Sequence, residues 1–158
     1  MKWLTKSPKW IDGEKRQVTL DYIAKKIKQH DLASVSVGCD SHKIGGMYIF
    51  AIVVAIYTKG YGGFFFFQRK KSKDKHLDIL PVRLMEETKA SIEAASQIRD
   101  LISVDRNIDV HLDINSNSKF ASYPMLKPAT SWVKSMGFTP VAKPYSWAAS
   151  ALADAFAK

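Results

Sequence analysis

The sequence predicts an α/β fold with a mixed five-stranded sheet, three antiparallel strands followed by parallel strands, flanked by helices. Segment 48–57 is apolar at both parities, as in a central strand covered on both faces. Glycine turns at 44–46 and 59–63 flank this segment, and short turns of this kind join strands into an antiparallel meander. Beyond the meander, helical segments alternate with strand-like segments, which is typical of strands that return parallel.

Length and composition favour one packed domain. The chain has 158 residues, of which 46% are hydrophobic, so we expect a domain over 1–158 with an N-terminal arm and helix at 1–32 and a core at 33–158. The net charge of +9 suits a polyanionic partner, although a basic balance also serves solubility alone. One cysteine excludes an internal disulfide, and no leader or membrane-spanning segment is expected. The sequence therefore predicts a soluble cytoplasmic protein without a membrane partner.

The N-terminal part is expected to lead into a buried strand that ends on a carboxylate. Residues 1–17 are predicted to form an irregular arm that folds back through its tryptophans. Thr19 is a suitable N-cap for a helix whose apolar side chains share one face. The strand that follows, about 34–40, ends at Asp40. A charge held against a core must be paired, metal-bound or near water, which makes Asp40 a candidate site residue.

A third strand begins at 64 and leads into a basic loop at 69–75. This loop has two interpretations, a solvated loop tip or a patch that contacts phosphates beside an active face. The sequence alone does not choose between them. The candidate nucleic-acid contacts are Arg69, Lys70, Lys71, Lys73 and Lys75.

A long helix is predicted over about 79–103, and one carboxylate lies on its apolar stripe. Periodicity assigns Glu87 to this stripe, whereas Glu86 falls toward the outer face. The alternative is that Glu87 is a surface residue at the edge of the stripe, paired with Arg83 one turn earlier.

Two further carboxylates, Asp113 and Asp154, are also candidate site residues. The alternating strand 108–114 carries His111 and Asp113 on one face, and Asp113 ends it as Asp40 ends the first strand. A helix at 124–136 and a short strand at 138–142 come next. The last helix, 147–157, is predicted to be capped by Ser146 and consists largely of alanine, which allows close backbone approach. Asp154 lies within it, and a solvent-facing charge is the alternative interpretation.

The order of these elements and carboxylates resembles the ribonuclease H-like superfamily, and more closely a YkuK-like group of bacterial proteins within it. The resemblance covers about 35–158 and lies in short motifs: Val37-Gly38-Cys39-Asp40-Ser41, Arg83-Leu84-Met85-Glu86-Glu87, Val110-His111-Leu112-Asp113-Ile114-Asn115, Gly137-Phe138, and Lys143-Pro144-Tyr145-Ser146-Trp147-Ala148-Ala149-Ser150 with Ala153-Asp154.

The resemblance implies a metal site. Ribonuclease H-like nucleases hold two divalent ions on four carboxylates, usually Mg²⁺, with Mn²⁺ as the substitute. By resemblance, Asp40 would bridge the ions while Glu87, Asp113 and Asp154 complete the ligand set. Two such ions stabilise both the attacking and the leaving oxygen of a phosphodiester.

Neighbouring polar residues have open roles. His42 and His111 are candidates for a proton shuttle or for a ligand that changes metal preference, although a histidine on a strand is more often a hydrogen-bonded core residue. Ser41, Asn115 and Asn117 either orient carboxylates or belong to turns.

These observations give three functional hypotheses. The first is a metal-dependent nuclease acting on RNA, an RNA/DNA hybrid or structured DNA, for which all four expected carboxylates are present. The second is a non-catalytic module of the same fold that binds nucleic acid or protein. The third is a metal phosphoesterase that acts on a small substrate through Asp40, His111 and Asp113.

Overall fold

The computed structural model describes residues 1–157 and contains one mixed sheet of seven strands in the order β2-β1-β5-β4-β3-β6-β7. Strands β3, β4 and β5 form an antiparallel meander, while β6 and β7 are parallel to β3. The strands are β1 (Trp10–Asp12), β2 (Gln17–Val18), β3 (Ser34–Ile44), β4 (Met47–Thr58), β5 (Gly62–Ser72), β6 (Asp109–Asn115) and β7 (Thr139–Lys143).

Helices cover both faces of this sheet. The α-helices are α1 (Leu20–Gln29), α2 (Leu80–Ile102), α3 (Leu126–Ser135) and α4 (Asp154–Ala157), and a π-helical segment (Ala148–Ala153) runs directly into α4. We call residues 148–157 the last helix. It covers the face of β3 that carries Gly38 and Asp40, whereas α2 packs on the opposite face. No helix in the described part of the chain is long and apolar enough to cross a membrane.

The central strand and the first helix form as the sequence predicts. Residues 50–56 of β4 are all buried, in keeping with coverage on both faces. The Thr19 hydroxyl accepts the N–H of Tyr22 and so caps α1, whose Ile23 and Ile27 are fully buried.

The sheet has seven strands rather than five because the N-terminal arm supplies two. β1 pairs with Phe66 and Phe67 of β5, and a tight turn carries the chain back into β2. The arm does fold back through its tryptophans: Trp10 is buried, and Trp3 meets Phe50 edge to face at 5.1 Å between ring centroids. Strands of two or three residues show no alternation by which a sequence could reveal them.

The predicted basic loop is largely a strand. β5 continues through Lys71 to Ser72, and a short 3₁₀ helix begins at Lys75. Both edges of β5 are bonded here, because Ser72 is the register partner of Tyr48 in β4 and the N–H of Leu4 donates to the Lys71 carbonyl at 2.8 Å. These backbone bonds keep a lysine-rich segment extended despite its weak strand propensity.

The start of the last helix also differs from expectation. Ser146 is buried, and its carbonyl oxygen, rather than its hydroxyl, accepts the N–H groups of Ala149 and Ser150. Helical structure begins at Trp147, as predicted, and Ser146 precedes it in the N-cap position. The predicted side-chain cap is not formed, because the Ser146 hydroxyl has no hydrogen-bond partner among the described residues.

Candidate metal centre

The four candidate carboxylates converge around Asp40, whose residue is only 7% exposed. Asp40, Glu87 and Asp113 form one group, and Asp40, His42 and Asp154 form a second; within each group the potential ligand atoms lie within 4.8 Å of one another. We call these the inner and the outer triad. Because Asp40 belongs to both, the cluster has the layout of two neighbouring cation positions that share one carboxylate.

Strand geometry explains why Asp40 serves both triads. Its Oδ1 accepts the backbone N–H of Ser41 at 2.8 Å, and its Oδ2 lies 3.3 Å from His42 Nε2. Residues two apart on a strand share a face, so β3 places Asp40 and His42 side by side. The intervening Ser41 points to the opposite face, toward α2.

Glu87 lies on α2 and is held at the cluster by a hydrogen bond from Ser41. The Ser41 hydroxyl donates to Glu87 Oε2 at 2.6 Å, and Glu87 is 6% exposed. Arg83 does not form the alternative ion pair with Glu87: its guanidinium donates to the Leu77 carbonyl at 2.9 Å and acts on Glu87 only as a nearby positive charge. The helical periodicity favours Glu87 over Glu86 as the inward-facing residue, and in the structure Glu87 is the buried one. Of the two roles left open for Ser41, the hydrogen bond to Glu87 matches that of orienting a carboxylate.

Asp113 lies two residues before the end of β6 and forms an ion pair with a lysine that the sequence does not point to. Lys143 Nζ, at the end of the parallel strand β7, lies 2.7 Å from Asp113 Oδ1. Lys143 is the register partner of Asn115, two residues beyond Asp113. Only the pairing of β6 with β7 brings the two side chains together, so no spacing in the sequence points to the pair.

Asp154 depends on the close approach of the last helix to β3. A Cβ atom at Gly38 would lie 2.6 Å from the backbone nitrogen of Ala149, so only glycine leaves room for the helix. Ala148 and Ala149 are fully buried against the strand, as their small size predicted. One turn further on, Asp154 Oδ1 lies 2.6 Å from His42 Nε2.

The electrostatics of the cluster are those of a site that can bind a cation. Burial and the neighbouring Asp113 raise the pKa of Asp40 to about 8, and burial together with Asp40 raises the pKa of Glu87 well above its ordinary value. Buried carboxylates that disfavour their own ionisation in this way are relieved when a cation binds among them. The donors are mostly carboxylate oxygens, which are the ligands that Mg²⁺ and Mn²⁺ accept. The residues present therefore fit the implied divalent ions.

His111 occupies a different environment from His42. It is buried, its Nδ1 accepts the N–H of Ala148 at 3.1 Å, and its ring meets Trp147 edge to face. Burial lowers its pKa to about 4, so the ring is neutral at pH 7. His111 belongs to neither triad. Its surroundings are those of a hydrogen-bonded core residue rather than of a proton shuttle or metal ligand, and its hydrogen bond to Ala148 holds the start of the last helix in place.

The basic residues of 69–75 are divided between the two faces of the sheet. In the antiparallel register, Asp40 faces Ala51, which in turn faces Arg69, and His42 is aligned in the same way with Lys71. Directly opposed residues point to the same face, so Arg69 and Lys71 share the face of Asp40. They lie two strand spacings away, about 10 Å.

The remaining basic residues differ in position. Lys70 points to the α2 face, where its Nζ lies 5.5 Å from the centre of the Trp3 ring. Lys73 and Lys75 are exposed beyond the end of β5. Arg69 donates through Nε to the carbonyl of Phe156 at 2.6 Å, so it also holds the last helix.

Asn115, the last residue of β6, and Asn117, two residues beyond it, make backbone hydrogen bonds or turns rather than contacts with the carboxylates. The N–H of Asn115 donates to the Ser122 hydroxyl at 2.9 Å, and the Asn117 side chain accepts the N–H of Lys119 at 3.0 Å. The second contact is an Asx-turn, the turn role that the sequence left open for Asn117.

Comparison with known proteins identifies a family. A family model described as "Ribonuclease H-like" matches residues 17–158. No curated protein and no solved structure matches the chain. The matched range contains all four clustered carboxylates and His42.

Proposed function

The chain belongs to the ribonuclease H-like family, and from this premise we propose that it is a metal-dependent nuclease that hydrolyses phosphodiester bonds of RNA or DNA. The observation that carries the proposal is the sharing of Asp40 between two triads of potential ligands. A module that only binds nucleic acid needs no such pair of cation positions.

In this proposal the chain supplies one set of ligands for each cation. Asp40, Glu87 and Asp113 hold an inner ion, and Asp40 with Asp154 holds an outer one. When bound, two divalent ions supply Lewis-acid stabilisation of the attacking and leaving oxygens of a phosphodiester.

The residues around the ligands position them and attract the substrate. Ser41 fixes Glu87, and Lys143 balances part of the negative charge beside Asp113. Arg69 and Lys71 present positive charge on the same face at about 10 Å from Asp40 and His42, where they can contact phosphates next to the scissile one. The net charge of +9 draws a polyanion toward a locally acidic centre.

The other two hypotheses have less structural support. The small-substrate phosphoesterase requires His111 in its site, yet Nδ1 of that ring already accepts a hydrogen bond from the N–H of Ala148. A non-catalytic module remains the outcome to expect if binding is found without cleavage.

A substrate panel tests the proposal. Purified protein is incubated with single strands, duplexes, an RNA/DNA hybrid and branched DNA, each with Mg²⁺, Mn²⁺ or EDTA. We expect metal-dependent cleavage of at least one substrate and a loss of about three orders of magnitude in Asp40→Asn, because the metal contribution amounts to several kcal/mol. Asp100→Asn, the same change at an exposed position, is the matched control. Clean folded protein that binds a substrate but cleaves none would refute the nuclease in favour of the binding module.

A further inference from the structure

The outer triad differs from the inner one in containing a nitrogen donor. His42 Nε2 lies 2.6 Å from Asp154 Oδ1 and 3.3 Å from Asp40 Oδ2, so it faces both carboxylates at once. The inner triad, by contrast, offers oxygen atoms only.

The two triads also differ in burial. Of the residues that the triads do not share, Glu87 is buried and the Asp113 side chain is 17% exposed, while the side chains of His42 and Asp154 are both 32% exposed. The outer position is therefore open to solvent and to exchange of ions, and the inner position is enclosed between β3, β6 and α2.

Donor chemistry separates the ions that suit these positions. Mg²⁺ selects hard oxygen ligands and retains several waters, whereas Mn²⁺ and the later first-row ions also accept an imidazole nitrogen. A site with one imidazole and two carboxylates favours the transition metal over Mg²⁺.

We propose that His42 Nε2 is a ligand of the outer position and makes it selective for Mn²⁺ over Mg²⁺, while the inner position accepts either ion. The proposal rests on the proposed function only in using the same carboxylates, since binding does not require cleavage. A metal-bound His42 is a neutral ring with its hydrogen on Nδ1, so the hydrogen bond to Asp154 is lost when the ion binds: a neutral ring with its hydrogen on Nε2 changes tautomer, and a protonated ring releases one proton to solvent.

The direct test uses metal-free wild-type protein and Mn²⁺ alone, with no nucleic acid present. Pulsed electron paramagnetic resonance detects ¹⁴N nuclei coupled to bound Mn²⁺, and we expect the coupling of one imidazole nitrogen. Binding of two Mn²⁺ per chain without any ¹⁴N coupling would overturn the proposal and leave His42 only as a hydrogen-bond partner of Asp154. This readout needs no variant and no activity.

Variants test the selectivity. In His42→Gln we expect the ¹⁴N coupling to disappear and the Kd of one Mn²⁺ to rise at least tenfold, while Mg²⁺ binding at the other position stays within twofold. His42→Asp should restore binding and move the preference toward Mg²⁺. His76→Gln, an exposed histidine paired with Asp74, is the matched control. Equal losses of Mn²⁺ and Mg²⁺ affinity in His42→Gln would contradict the proposed selectivity.

The results also separate this inference from the proposed function. A ¹⁴N-coupled Mn²⁺ site in protein that cleaves no substrate supports the inference and refutes the nuclease. Metal-dependent cleavage with no ¹⁴N coupling does the reverse.

Discussion

At the scale of single residues, Asp40 is the residue that connects the two triads. It is the only side chain shared by both triads, and its carboxyl is crowded by Asp113 and Asp154. A carboxyl buried among other carboxyls in this way weakens the folded state, which favours a role in binding over a role in stability.

The raised pKa of Asp40 has a consequence for metal-free protein. Between its ordinary value of 3.8 and about 8, the folded chain keeps a proton that the unfolded chain has lost. The free energy of unfolding therefore falls as the pH rises through this range. Asp40→Asn removes the effect, and we expect it to stabilise the EDTA-treated protein at pH 8 on the order of 2 kcal/mol, roughly 4–8 °C in Tm. Thermal melts from pH 4 to 8.5 would contradict this if the curves of Asp40→Asn and wild type ran parallel.

Ser41 gives a second prediction at this scale. Ser41→Ala leaves Glu87 buried without its hydroxyl donor, so we expect a roughly tenfold weaker inner-ion affinity and a stability loss of about 1–3 kcal/mol. Ser41→Thr keeps the hydroxyl and should retain most of the affinity. Calorimetric titration with Mg²⁺ measures the change. Equal affinity in Ser41→Ala and wild type would show that the serine does not orient Glu87.

At the scale of elements, the site depends on how closely the last helix lies against β3. Gly38→Ala places a methyl group 2.6 Å from the Ala149 backbone nitrogen, and backbone atoms cannot rotate aside. We expect the helix to shift and Asp154 to leave the outer triad, with a stability loss of about 1–3 kcal/mol. Cleavage and outer-ion binding should fall together, while the inner ion is still bound.

The matched control for Gly38 is Gly13→Ala in the turn between β1 and β2, where an added Cβ meets nothing within 4 Å. Tm and Mn²⁺ stoichiometry are measured for both variants. Normal stoichiometry in Gly38→Ala would mean that the helix does not position Asp154.

The elements also mark how far the sequence could predict this structure. The periodicity of α2 identified Glu87, and the alternation of β6 identified Asp113, because both are local patterns. Lys143 and the tight packing at Gly38 were missed, because each depends on a neighbour that only the sheet order or the helix docking brings near. The two strands of the arm and the extension of β5 form for the same reason, through pairing with distant segments.

For the molecule as a whole, the distribution of charge matters more than its total. Lys70 and Lys71 are adjacent in sequence but lie on opposite faces of the sheet, and of the two only Lys71 shares the face of Asp40 and His42. If nucleic acid lies across that face, the two lysines must contribute differently despite identical chemistry.

Exchanging each lysine for glutamine tests this difference. We expect Lys71→Gln to reduce the slope of log affinity against log salt by about 0.7–0.9, the value for one lost phosphate contact, and Lys70→Gln to leave it unchanged. Lys71 is preferable to Arg69 here because Arg69 also bonds the Phe156 carbonyl. Binding is measured between 50 and 200 mM salt with a non-hydrolysing Asp40→Asn background. Equal slopes for the two variants would place the nucleic acid elsewhere, since a substrate on the Asp40 face meets Lys71 and cannot reach Lys70 through the sheet.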